Sequence, residues 1–298
     1  MRIFIIFFLL TCPVFFLSYS KKERFYEFEK MPPLPILQTD QQLSILKEIT
    51  AREFLVQDLV SGGILLQKDS QIATNPASTT KMMTALVARE HYALDQILEV
   101  TDLKKVDGNT VDLFSGEQVS VRELITAALV NSGNDAALVL AKNYPGGELD
   151  FVEQMNQRAQ GLSLVSTHFT NAVGYDEVEH ISSAADLAVI AQELMKDDFL
   201  RSLVGTKQVT IFDRSGQFAH YLENTNELLW QIPGVVGIKT GTTPLAGQVL
   251  VTQVEDEQKK LLLVLMGSQD RYQDAKKIIS WIEQNYLWLE VSDSFELE

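Results

Sequence analysis

The sequence predicts an α+β fold: a largely antiparallel sheet flanked by helices, with an all-helical part inserted between its strands. Three observations predict it. Apolar runs of strand length recur towards both ends of the chain, at 52–58, 64–67, 209–212, 235–239, 248–253 and 261–266. Helical patterns fill the stretch between them, from about 76 to 195. The 298 residues are 46% hydrophobic, ample for a sizeable core in one large domain or two small ones.

At the start, Arg2 precedes an almost wholly apolar run, 3–17. Ser18-Tyr19-Ser20 then sets small residues at minus three and minus one of a cut, as in signal peptides. The run is also near the length of an uncleaved membrane anchor. Residues 1–20 are therefore expected to be a signal peptide or an N-terminal anchor, and the protein to work outside the cytoplasm: secreted, periplasmic or on the wall side of the membrane. Any membrane attachment is expected through 1–20 only, because the 288–298 tail carries Glu290, Asp293, Glu296 and Glu298, which anionic lipid repels. The single cysteine, Cys12, lies inside the apolar run, so the rest holds no intramolecular disulfide and no thiol nucleophile.

Pro32-Pro33-Leu34-Pro35 makes 21–50 read as an extended linker, with a short helix near 40–49. Ser61-Gly62-Gly63, between two apolar runs, signals a hairpin. Pro76 suits the first turn of a helix, where a missing N–H costs nothing. Helical patterns follow at 119–130, 136–142 and 149–162. Ser183-Ala184-Ala185-Asp186 resembles a capping box opening a helix to about Met195. After the later strands, a last amphipathic helix is expected at 273–286. The main domain is expected at 51–287.

Composition narrows the function. A net charge of −15 lacks the basic footprint of a nucleic-acid binder, and no nucleic-acid partner is expected. His91, His168, His180 and His220 show no metal-ligand spacing, so neither metal nor cofactor is expected. A structural hydrogen bond is the expected role of His180.

Ser78-Thr79-Thr80-Lys81 is the most informative stretch. Three residues apart on one helix, Ser78 and Lys81 would share a face. A serine hydroxyl needs a nearby base to become a nucleophile, and a lysine serves once burial or a helix N-terminus lowers its pKa. Ser132-Gly133-Asn134 and Lys239-Thr240-Gly241-Thr242 follow in order. Singly such tetrads arise by chance. In the order S-x-x-K, S-x-N, K-T-G they form the signature set of penicillin-binding proteins and serine β-lactamases.

The flanks resemble one branch. Pro76 to Thr84, Ser132 to Ala137, Asn224-Thr225-Asn226 with Leu228-Leu229, and Gly237 to Gly241 look like the low-molecular-weight penicillin-binding proteins that are serine D-alanyl-D-alanine carboxypeptidases. So do Thr167 to Gly174, His180 to Ala188, and Gly267-Ser268 with Arg271-Tyr272. The resemblance runs from about 51 to about 281. It implies a β-lactamase/transpeptidase-like fold with the groove between sheet and helices. It implies Ser78 as nucleophile, Lys81 as base, Ser132 as proton relay and Asn134 as a partner of Lys81 and the substrate amide. Lys239, on an edge strand, keeps the pocket positive, Thr240 and Thr242 bind the substrate carboxylate, and Gly241 lets the strand backbone approach the substrate. Backbone N–H groups of Ser78 and Thr242 would form the oxyanion hole. Arg271 either contacts that carboxylate or pairs with Asp270 or Asp274.

The implied activity is removal of the terminal D-alanine from peptidoglycan stem pentapeptides, with β-lactams as covalent inhibitors on Ser78. A D,D-endopeptidase of the same family is the alternative. A class A β-lactamase would need an E-x-x-L-N loop, which is missing between Asn134 and Lys239. A catalytically dead wall-binding module is disfavoured, since every motif residue is present.

Overall fold

The computed structural model describes residues 33–38, 42–101, 103, 106–257 and 259–289. The expected export segment 1–20 lies outside them, as does the tail beyond Leu289. The first elements are β1 (Leu34–Leu37), α1 (Gln42–Glu48), β2 (Glu53–Asp58) and β3 (Ile64–Lys68). A 3₁₀ turn (Ala77–Thr80) leads into α2 (Lys81–His91), followed by β4 (Ile97–Glu99), β5 (Gln118–Ser120) and α3 (Val121–Thr126). A π-helical turn (Ala127–Asn131) then precedes α4 (Asn134–Lys142), α5 (Gly147–Gly161), α6 (Ala184–Leu194) and α7 (Asp198–Val204). The last part holds β6 (Gln208–Phe212), β7 (Ala219–Glu223), α8 (Leu228–Gln231), β8 (Val235–Thr243), β9 (Gly247–Glu255), β10 (Lys260–Ser268), α9 (Arg271–Asn285) and β11 (Tyr286–Leu289).

The main sheet is antiparallel throughout, in the order β3-β2-β10-β9-β8. Its central strand β10 is apolar from Leu261 to Met266, and all six side chains are buried. Both faces of that strand are covered, so a continuous apolar run replaces the alternation of a half-exposed strand. With side chains alternating across the sheet, Leu261, Leu263 and Leu265 join Ala275, Ile278 and Ile282 of α9 in one core cluster. Leu262, Val264 and Met266 join a larger cluster with α2, α3, α4, α5 and α6. Helix α2 is buried from Lys81 to Ala88 and is the axis of the helical part. Ser183 caps α6 by accepting from Asp186 N–H, as the capping-box pattern predicts.

Some expectations are corrected. The stretch 21–50 is not wholly a linker: β1 pairs with β11, and Ile45 of α1 is buried in the α9 cluster. The pairing also takes in Trp288 and Leu289, the first residues of the expected tail. The helix expected from Pro76 begins at Lys81, and Ser78 sits in the 3₁₀ turn before it. The helix expected at 119–130 breaks into strand, α-helix and π turn. Among the described residues no helix is long and apolar enough to cross a membrane.

Candidate active site

The turn that carries Ser78 is tight. Pro76 opens it, Thr79 N–H and Oγ1 both donate to Pro76 O, and Ala77 takes φ +50°. Residues i and i+3 nearly eclipse in 3₁₀ geometry. Ser78 and Lys81 therefore face one another although Ser78 precedes the α-helix. Lys81 Nζ lies 3.0 Å from Ser78 Oγ. It donates to Asn134 Oδ1 at 2.6 Å and to the Val173 carbonyl at 2.8 Å. Asn134 Nδ2 donates in turn to Asp107 O, which fixes the amide with its oxygen towards the lysine.

Lys81 is fully buried. Burial pushes its pKa well below the usual lysine value, the neighbouring Lys239 ammonium pushes it further, and Asp135 opposes both. Asp135 is itself buried, which raises its carboxyl. It accepts from Val111, Leu113 and Ala136 N–H groups and so ties the 106–113 loop to the start of α4.

Ser132 ends the π turn in the left-handed conformation (φ 65°, ψ 31°). Such turns concentrate at functional sites. It lines a cavity of about 430 Å³ together with Ser78, Asn134, Thr240, Thr242 and Arg271. Another wall is β8, the edge strand of the sheet, which among the described strands pairs with β9 alone. Lys239 on it is buried, and burial with the nearby Arg271 charge lowers its pKa to about 7. Thr240 Oγ1 lies 2.7 Å from Thr225 Oγ1, and Thr242 is exposed to the cavity.

Arg271 does not pair with either neighbouring aspartate. Asp270 caps α9, and Asp274 accepts from Thr50, Ala51 and Ser268. The guanidinium turns to β8 instead, where Nη1 donates to Gly241 O (2.6 Å), Thr242 Oγ1 (3.0 Å) and Val249 O (3.2 Å). Gly241 also has a packing role that the motif did not reveal. A Cβ there would stand 2.7 Å from Ser78 N and 2.8 Å from Ala77 Cβ. The missing side chain makes room for the serine turn. Gly174 does the same, since its Cβ would fall 2.0 Å from Ala77 O.

Ser78, Ser132, Asn134, Thr240, Gly241, Thr242 and Arg271 thus line one cavity, and the Ser78 hydroxyl faces Lys81, a fully buried amine of depressed pKa. The family of D-alanyl-D-alanine carboxypeptidases matches residues 38–270. The chain belongs to that family. Curated relatives include D-alanyl-D-alanine carboxypeptidase DacD of Escherichia coli, 34% identical over 82% of this chain and 66% of its own length. D-alanyl-D-alanine carboxypeptidase DacF of Bacillus subtilis is 32% identical over 76% of this chain and 60% of its own. The chain thus spans about two thirds or less of the length of these family members. The Streptomyces K15 DD-transpeptidase superposes with a TM-score of 0.74 at 29% identity, covering 79% of this chain and 98% of that one. A D-alanyl-D-alanine endopeptidase of Pseudomonas aeruginosa is 29% identical over 81% of this chain and 80% of its own. Among the described residues no group of three or more His, Cys, Asp or Glu could hold a metal ion.

The residues that motif reading missed act through the backbone or at a distance. Val173 and Asp107 contribute carbonyls, which any residue type supplies. Thr225 and Asp135 stood only as flanking matches, although Asp135 follows Asn134 directly and is a carboxylate buried in an apolar run.

Proposed function

We propose that the protein is a serine D-alanyl-D-alanine carboxypeptidase acting on peptidoglycan stem pentapeptides outside the cytoplasm. The observation that carries this reading is the set of contacts at Lys81 Nζ. A neutral amine has two protons and one lone pair. Asn134 Oδ1 and Val173 O are acceptors only, so they take the two protons. The lone pair is left for the third neighbour, the Ser78 hydroxyl at 3.0 Å. In this reading Ser78 gives its proton to Lys81 as Oγ attacks the carbonyl of the penultimate D-alanine.

The oxyanion forms against the Ser78 and Thr242 N–H groups. Ser132, at the cavity wall, passes a proton to the departing amine, and water later hydrolyses the ester. Thr240 and Thr242 hydroxyls and the Lys239 and Arg271 charges receive the free C-terminal carboxylate. A β-lactam mimics the acyl-D-Ala-D-Ala backbone and acylates Ser78 as its ring amide opens. Mass spectrometry of the full chain after penicillin treatment tests the nucleophile: a single adduct on a peptide containing Ser78 is expected, absent in Ser78→Ala. Digestion of purified peptidoglycan tests the reaction: loss of pentapeptide with release of D-alanine is expected, and unchanged pentapeptide refutes it.

The second reading is a D,D-endopeptidase. It draws on the Pseudomonas endopeptidase, of whose length this chain covers more than it does of either carboxypeptidase described above. Cross-linked dimers falling to monomers before pentapeptide is trimmed would favour it.

A further inference from the structure

We propose that His180 and Thr80 are positioning residues that aim the Ser78 N–H into the oxyanion hole by fixing the plane of the Ala77–Ser78 peptide bond. The inference rests on the reading of Ser78 as nucleophile. Thr170 N–H donates to His180 Nδ1 at 3.0 Å, which makes Nδ1 the acceptor and leaves the proton of the neutral ring on Nε2. Nε2 lies 2.8 Å from Thr80 Oγ1 and donates to it. The hydroxyl's own proton is thereby directed to its other partner, the Ala77 carbonyl at 2.8 Å. The ring is buried, which lowers its pKa to about 4 and keeps this tautomer at neutral pH.

The carbonyl of Ala77 and the N–H of Ser78 belong to one planar trans unit and point in opposite directions. Holding the one aims the other. The unit needs holding, because a left-handed alanine costs roughly 1–2 kcal/mol. Gly174 packs close against the same carbonyl. Ser78 N–H enters no backbone hydrogen bond among the described residues and is left for a developing oxyanion.

Stopped-flow acylation of the full chain by a fluorescent penicillin tests the relay, with thermal melting alongside. Thr80→Val keeps the shape and removes the hydroxyl. Its acylation rate constant should fall at least about tenfold, part of the ~10²–10³ lost when an oxyanion donor is deleted outright. The initial binding constant should not change. Affinity for a peptidyl boronic acid, whose tetrahedral adduct sets an oxygen in the hole, should fall in parallel. Thr80→Ser should restore both, and His180→Gln should retain more acylation than His180→Ala. Wild-type rates in Thr80→Val, or a loss confined to initial binding or to melting temperature, overturn the proposal. Wild-type protein that reacts with penicillin but spares pentapeptide refutes the carboxypeptidase reading alone, and the same rates still decide the relay. Wild-type protein inert to penicillin overturns both.

Discussion

Gly241→Ala puts a methyl group between β8 and the serine turn, and the structure says by how much they must part. The new Cβ would lie 2.7 Å from Ser78 N, where ordinary contact begins at 3.4 Å. A separation of about 0.7 Å is needed. Neither neighbour yields as a side chain would, since the nearest atoms are Ser78 N, Ala77 Cβ and Thr79 N. As an edge strand, β8 can bow outward. Bowing must work against the ladder to β9 and the Arg271 bond to Gly241 O. The two proposed oxyanion donors sit on opposite sides of this gap, so the shift is felt where charge develops. A misplacement near 1 Å costs about 10²-fold in rate, or about 2.7 kcal/mol of transition-state stabilisation. Overpacking should cost about 1–3 kcal/mol of folding stability. The assay is the second-order rate of penicillin acylation, with melting by circular dichroism. Gly161→Ala is the control, because nothing lies within 4 Å of its added Cβ. Acylation of Gly241→Ala within a factor of three of wild type would refute the argument that strand-to-turn spacing sets the hole.

Lys81→Arg keeps a cation but cannot deprotonate in the working range; acylation should collapse while far-UV circular dichroism stays native. The pKa of Lys239 sets a pH dependence. Its folded value, near 7, lies below the unfolded lysine value, so the ammonium persists below pH 7 and is lost above it. KM for a free-acid peptide should therefore rise as pH passes 7, and Lys239→Gln should flatten that rise. The unfolded chain binds the extra proton between about pH 7 and the ordinary lysine pKa, so this group's contribution to stability increases with pH across that window. Amidating the substrate's terminal carboxylate should lower kcat/KM at least tenfold, about 1.4 kcal/mol of lost charge-assisted hydrogen bonding. Equal rates on acid and amide would dismiss Thr240, Thr242 and Arg271 as its anchor.

The motif residues were legible because the chemistry depends on their side-chain types. The proposed roles of Ser78, Lys81, Asn134 and Lys239 each call for one side-chain type, so order and spacing suffice to find them. What completes the site is less specific in sequence. Val173 offers Lys81 a carbonyl from 92 positions away, and a carbonyl leaves no trace in composition. Arg271 stands beside two aspartates, and local pairing was the natural alternative. Both carboxylates prove to be committed to N–H and O–H donors of their own, which frees the guanidinium for β8. Pro76 and the helix formers after Lys81 fit an α-helix as well as a 3₁₀ turn, so the sequence predicts the commoner geometry at Ser78. The bond from Thr79 N–H to Pro76 O and the left-handed φ of Ala77 separate the two, and alanine is not the residue that announces a left-handed turn.

The same contrast separates the strands that were read from those that were not. Strand β10 declares itself through six apolar residues in a row, because both of its faces are covered. Strand β1 is extended, as its prolines predict, but its partner β11 lies some 250 residues away, and no local signal carries that pairing. In β7 the inward positions are His220 and Leu222. The histidine donates from Nδ1 to Val111 O and meets Glu117 through Nε2, both at 2.7 Å. A polar ring at an inward position hides a period of two that an apolar side chain would have shown. Its two partners sit on the loop that also supplies Asp107 O to Asn134. In β7, then, the inward polar residue that obscures the strand's period is also the one that ties it to the loop bearing Asp107.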